Sequence, residues 1–299
     1  NMPIATGNFA KLLWPGLNAI YGKDQKEHKV EWTELVDKHT SRKAWEEDLS
    51  VSGFGLPVIK GEGETITYDT TRQGFIDRYS HVVWALGFII TREMFEDDLY
   101  DVVGEKKARE LSFVMRQGKE TNVANMYNRA FNSSYTFGDG KELLATDHPN
   151  IAGGTFANEL ATAADLSEVS LEQACIDIMK YLDDRGNKIS VKPTKLIVPV
   201  DLWPFAEKLL GTEYKMDTAE NTISVVYKKV PLVVNHYLTD ADAWFLRTDQ
   251  RDGLKYFERW ADRFDMDNDS DTWNAKFQAA SRYSVGASNK KALFGSPGA

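Results

Sequence analysis

Residues 51–90 restrict the fold of this chain more than any other stretch. Gly53, Gly55, Pro57, Gly61 and Gly63 crowd into residues 51–64, and backbone this free does not hold a helix. Thr65-Ile66-Thr67-Tyr68-Asp69 follows, an alternating β-branched run that predicts a strand. Thr70 to Gly74 reads as a turn, and Tyr79 to Ile90 as a second β-rich run. Together they make a long two-stranded excursion. A lone hairpin is only marginally stable in water, so this one calls for a surface outside itself, such as a neighbouring subunit.

The segments on either side are of different kinds. Phe9, Leu12, Leu13 and Trp14 form a short apolar patch that Pro15-Gly16 breaks, and residues 22–48 are rich in Lys, Glu and Asp. Residues 1–50 therefore read as an extended arm that needs a partner surface to bury Trp14, Trp32 and Trp45. From Thr91 the apolar period changes to three and four. Phe95, Leu99, Val102, Leu111, Met115, Val123 and Tyr127 mark an amphipathic helix of some forty residues, capped by Thr91, with Gly104 and Gly118 as points of bending or interruption. Residues 132–165 are loop-like. Ser170 and Gln173 form a capping box for a helix that buries Leu171, Cys175, Ile178 and Leu182 and stops at Gly186. Lys195–Val198 is a buried strand between Pro193 and Pro199, and Trp203–Leu210 a short helix. Residues 211–222 form a polar loop, and strands follow at 223–234, 243–247 and 254–258. The class is α+β.

Composition excludes several functions. The net charge is -9, with no basic half, tail or stripe, so sequence-specific nucleic-acid binding is not expected. The one cysteine, Cys175, cannot make an internal disulfide. The longest apolar run, Val82 to Ile90, is far short of the ~20 residues of a membrane helix, and no membrane association is expected. The N-terminus lacks the blocks of a signal peptide, so synthesis in a cytoplasm is expected.

Signals for catalysis are also lacking. Gly138-Asp-Gly-Lys141 is followed by Glu142 and fails as a phosphate loop. The histidines His28, His39, His81, His148 and His236 show no metal-ligand spacing. Asp265, Asp267, Asp269 and Asp271 alternate like a calcium loop, but Ser270 and Lys276 occupy the positions that need Gly and Glu. Cys175 reads as core rather than nucleophile, and His148 as a loop histidine. The expectation is no enzyme, with no catalytic residue, no cofactor and no metal.

Five short stretches carry a resemblance. They are Gly53–Asp69, Ile90–Tyr100 running on to Asn128–Phe131, Leu144–Asn150 with Gly154–Asn158, Pro193–Pro199, and Arg282–Gly286. In this order the chain resembles the tailed-phage major capsid proteins of the Hong Kong 97-type fold, including Mu-like major head subunits. The resemblance implies an N-terminal arm at 1–50 and an extended β-hairpin loop at 51–90 that lies over the adjacent subunit. It further implies a peripheral domain with a long spine helix at 91–164, an axial domain at 165–239, and a return to the peripheral domain at 240–299. The loop 211–222 would point at the local symmetry axis.

As function, the resemblance implies hexamers and pentamers that close into an icosahedral shell around DNA held without sequence-specific contacts. The location is the virion, after assembly in the host bacterial cytoplasm. Contact candidates are Trp14, Lys60, Glu62, Glu64, Tyr68, Asp69 and Arg72. In one relative a lysine of the extended loop bonds covalently to a neighbour's asparagine; Lys60 lies in that loop but reads as an ordinary solvated lysine. Some members carry a helical scaffolding segment before the arm. None precedes residue 50, so a separate scaffolding protein or a removed leader is expected, together with a portal and a decoration protein as partners. Three rival readings are an encapsulin-like compartment, a soluble enzyme with an unrecognised site, and a non-shell phage component such as a ring or decoration protein, which the long helix and the segment order argue against.

Overall fold

The computed structural model describes residues 9–27, 29–97, 100–211, 228–250, 252–268 and 274–299. In chain order these form α1 (Phe9–Glu27), α2 (Trp32–Leu35), β1 (Asp37–Thr40), β2 (Trp45–Val51), β3 (Gln73–Ser80), β4 (Val82–Ile90), α3 (Arg92–Glu96) and α4 (Tyr100–Asn128). Two short strands, β5 (His148–Pro149) and β6 (Thr155–Phe156), precede α5 (Glu168–Met179), β7 (Pro193–Pro199) and α6 (Trp203–Gly211). The chain ends with β8 (Leu232–Asn235), β9 (Trp244–Thr248), β10 (Leu254–Asn268), β11 (Ala275–Ala287) and β12 (Leu293–Ser296). The class is α+β, as expected.

Two four-stranded sheets organise these elements. The first has the order β1-β10-β11-β4, and only the β1–β10 pairing is parallel. The second has the order β12-β9-β7-β8, and only β7–β8 is parallel. The segment after residue 240 serves both sheets, with β10 and β11 in the first and β9 and β12 in the second.

The long helix α4 has 29 residues, about 44 Å of axis. Ala108, Leu111, Met115, Val123, Ala124 and Tyr127 form its buried face. The helical pattern from Thr91 is realised as two pieces, α3 and α4. Thr91 does cap the first, accepting from the Met94 N–H at 3.4 Å. Gly104 and Gly118 lie inside α4 without interrupting it.

One core joins α2 and α4 to both sheets through Trp32, Leu35, Tyr127, Phe245, Tyr256 and Leu293. A second packs α5 and α6 on the second sheet through Leu171, Ile178, Leu196, Leu210 and Trp244. The third sets Leu17 and Tyr21 of α1 against α4, β10 and β11, where Tyr21 stacks on Phe264 with centroids 4.9 Å apart.

Several expectations need correction. Pro15 does not end the first apolar patch, because α1 runs through it. An interior proline costs roughly 3 kcal/mol, and burial of Leu17 and Tyr21 outweighs that. The arm is thus held by its own subunit, and Trp32 is buried in its own chain. Trp45 is exposed, with the Arg78 guanidinium 4.4 Å from its ring centre. The Trp14 side chain lies outside the described residues. The capping box of α5 is Ser167 with Ser170, and that helix ends at Met179. Gly186, at φ +83°, closes the following turn instead, and Leu182 is exposed. Most of the polar loop 211–222 lies outside the described residues.

Tyr127 is fully buried and its hydroxyl donates to the Leu35 carbonyl at 2.6 Å, which ties α4 to α2. Tyr127→Phe should lower unfolding free energy by about 1–3 kcal/mol, read from chemical denaturation. An unchanged midpoint would remove this bond from the account of the core.

Candidate assembly interface

The excursion expected from sequence exists, with its strands displaced. The paired stem is β2 with β3, running from Trp45↔Ser80 to Val51↔Gln73 with an irregularity after Leu49. β4 leaves the stem and pairs with β11 in the first sheet. Thr65–Asp69 is not a strand within the subunit, and residues 52–72 form no paired strand.

Local bonds still hold this tip to one path. Ser52 N–H donates to the Arg72 carbonyl at 2.9 Å, and Arg72 N–H to Ser52 Oγ at 2.8 Å. Gly55 N–H donates to Asp69 Oδ2 at 2.7 Å. At the far end Glu64 accepts from Gly61 N–H at 2.9 Å, across a turn in which Gly63 takes φ +81°. The Ser52/Arg72 and Gly55/Asp69 pairs share one register, which places Leu56 opposite Tyr68 and Val58 opposite Ile66. Phe54, Leu56, Val58, Ile59, Ile66 and Tyr68 leave apolar side chains uncovered along both arms of the tip. Each of the six is between 63% and 95% exposed.

The candidates of the loop share one tip. Lys60, Glu62, Glu64, Tyr68, Asp69 and Arg72 are all exposed on this tip. Glu64 and Asp69 also shape it through the bonds above. Arg72 contributes its backbone to the base. Trp14, the remaining candidate, has its side chain outside the described residues.

Two features that sequence reading missed fix the tip and its stem. The first is a latch. Arg185 Nη1 sits 3.0 Å from Asp69 Oδ2, and its other amino group donates to the Thr70 carbonyl. The Gly55 and Thr70 N–H groups, then Arg185, hold the Asp69 carboxyl below its usual range. The second is a joint. Ser41 lies between β1 and β2, and His81 between β3 and β4, so both chains of the stem leave the first sheet there. His81 Nε2 is 3.1 Å from Ser41 Oγ, and its Nδ1 is 2.9 Å from Ser284 Oγ of β11. Ser41 in turn donates to Glu46 at 2.8 Å. Nothing in the sequence signals either contact, since the partners lie 116 and 203 residues apart.

Below the stem, buried Lys290 binds Asp77 at 2.8 Å, and Asp77 also accepts from Gly138 N–H at 2.8 Å. His148 is fully buried with Nδ1 2.7 Å from Asp139. Burial would raise the Asp139 carboxyl, but the His148 bond and the Lys290 charge hold it below its usual range. Asp77, Asp139 and Lys290 border a cavity of about 540 Å³. Its lysines are committed, Lys255 to Asp48 and Lys291 to Asp184. Burial pushes the Cys175 thiol up, against a nucleophilic role. Asp265 and Asp267 lie in β10, while Asp269 and Asp271 lie outside the described residues. No group among the described residues has the make-up of a metal site. None of the helices described is long and apolar enough to cross a membrane.

The family model described as phage capsid protein matches residues 77–295. The chain belongs to the phage capsid protein family. No curated protein matches it in sequence. Among solved structures it is similar to a subunit of the procapsid of bacteriophage JBD30, at 13% identity and a TM-score of 0.53, over 96% of this chain and 74% of that one. It is also similar to the capsid of a native GTA particle, at 12% identity and a TM-score of 0.55, over 89% and 88% of the two chains. A Mycobacterium phage Che8 chain matches at 11% identity and a TM-score of 0.53, over 91% and 93%. These likenesses carry the fold, and with the family match they meet the expectation of a phage major capsid protein of Hong Kong 97-type architecture. The capsid protein is a component of the virion.

Burial lowers the pKa of His81; Arg282 and Arg259 lower it further, and Glu46 opposes them. Phe257 faces the ring at 6.4 Å and brings no charge. A histidine depressed in the folded state contributes stability that is complete above the unfolded value of about 6.5 and declines as pH falls toward the folded value. Melting temperature should therefore fall as pH drops below about 6.5 more steeply in the wild type than in His81→Gln. Equal slopes would exclude the joint as the source. Arg185→Ala should quicken amide exchange in residues 53–70 by roughly two- to fivefold while leaving the melting temperature unchanged, as suits an exposed ion pair.

Proposed function

We propose that this capsid protein works by self-assembly alone, through hexamers and pentamers that close into an icosahedral shell around a tailed phage's double-stranded DNA. The observation that carries the reading is the exposed apolar tip on residues 52–72. Monomeric proteins rarely keep a contiguous apolar surface of this kind uncovered. Each subunit lays its hairpin, with a stem beginning at Trp45, across a neighbour. Residues 91–164 and the strands β10 and β11 act as the peripheral domain, and residues 165–239 as the axial domain. The arm, 1–50, supports the spine helix of its own subunit through α1 and reaches outward beyond it. DNA is enclosed rather than read, in keeping with the net charge of -9. A separate scaffolding protein, a portal and a decoration protein complete the assembly, which takes place in the bacterial cytoplasm. The protein has no catalytic role in this scheme.

The test removes the tip and keeps its base. Replacing residues 56–67 with a short Gly-Ser turn leaves Gly55 and Asp69 to close the loop. This variant should stay soluble, melt within about 2 °C of the wild type, and give no closed shells in negative-stain electron microscopy. Intact shells from it would refute the role of the hairpin. Wild-type shells that enclose a protein cargo and no DNA would favour a compartment instead.

A further inference from the structure

A lysine and an aspartate meet out of water beneath the stem. Asp77 belongs to β3 and Lys290 to the segment before β12, 213 residues apart, and both are buried. Lys290 Nζ lies 2.8 Å from Asp77 Oδ2, while the Ala287 carbonyl is more distant at 3.4 Å. The Phe137 ring covers the ammonium at 5.1 Å. Asp139, the neighbouring acid, is turned to His148 Nδ1 at 2.7 Å, which leaves Asp77 as the carboxylate that Lys290 meets. Asp77 Oδ1 accepts from the Gly138 N–H at 2.8 Å. Glycine lets that amide come so close, since a Cβ at residue 138 would lie 2.4 Å from the Ile76 carbonyl oxygen.

A nucleophile, a carboxyl group and an oxyanion donor thus share one buried site. Two charges in this position are costly to keep from water, and an amide carries neither. Fixed proximity replaces chance encounter, and the Gly138 N–H is already aimed at the oxygen on which negative charge would develop. The geometry points to an amide bond between Lys290 Nζ and Asp77 Cγ, formed by the folded chain itself.

The Lys290 ammonium first passes a proton to Asp77 Oδ2, giving an amine and an acid. Nζ then attacks Cγ; the C–N bond forms, and the π pair moves to Oδ1, where the Gly138 N–H receives it. A water in the cavity of about 540 Å³ that Asp77 and Lys290 border carries a proton from the nitrogen to Oδ2. Oδ2 leaves as water, and the pair on Oδ1 restores the carbonyl. One ammonium and one carboxylate become one amide and one water, with no oxidant and no cofactor. The bond fastens β3, and with it the stem, to the segment before β12. It lies within one subunit, so it does not rest on the shell reading.

Intact-mass spectrometry of the denatured full-length wild type reads the bond directly. The chain should be lighter than its sequence by one water. Tryptic digestion should release a branched peptide joining the Asp77 and Lys290 segments, uncleaved at the acylated lysine. Lys290→Arg keeps the positive charge and should restore the full mass. A wild-type mass equal to that of the sequence overturns the inference and leaves an ordinary ion pair. A lost water that maps to one unbranched peptide overturns it as well, as ring closure at Asp139-Gly140 or Asp252-Gly253 would give. Covalent dimers in place of a lighter single chain would overturn the placement within one subunit.

Discussion

A two-stranded ribbon has no inside. Each of its faces meets either water or something else, and its backbone pairs only along one seam. The stem β2–β3 therefore depends on what happens at its feet. Three kinds of contact meet there. His81 links the two chains of the stem to β11 through neutral hydrogen bonds to Ser41 and Ser284. Lys290 meets Asp77 where both side chains are below a tenth exposed. Asp48 takes the Lys255 ammonium and the Ser288 hydroxyl, and Ser288 contacts the Tyr79 hydroxyl. Losing one member of a buried ion pair costs about 3–5 kcal/mol. The feet are rigid because several such bonds would have to break together.

The distal contact is of another order. The Arg185–Asp69 latch is exposed, and exposed pairs contribute about 0–1 kcal/mol. A stiff base with a weakly held tip lets the ribbon keep its direction while the tip adjusts. That division suits a subunit that must meet neighbours at slightly different angles. A tip fixed as firmly as its base would fit one geometry only.

The sequence made the composition of these parts legible, but their pairing much less so. The glycine spacing and β-branched run announced an excursion, and the 3.6-residue period announced α4. Their hydrophobic patterns are local, so neighbours in sequence suffice to reveal them. Thr65–Asp69 misled because strand propensity describes side chains that fit a pleated surface, and no such surface adjoins it within the subunit. Pro15 misled for the reverse reason. Local propensity opposed a helix there, and distant side chains on α4 and β10 overrode it. The latch and the joint were illegible because arginine, aspartate, serine and histidine at unrelated positions form no pattern until the fold brings them together. The contact candidates on the tip were legible as a segment, but the closing of its base was not, since that needed the register of Ser52 with Arg72.

The arrangement of apolar surface also leaves two patches uncovered within the subunit. The tip and β4 are individually small, and each sits on a different element at the end of a different sheet. Neither can fold back on the other in the same copy: the joint at His81 fixes the stem, and Arg185 holds the tip base against the turn after α5. The constraint that keeps the hairpin from burying its own apolar side chains is therefore the same one that leaves them available for contacts outside the subunit.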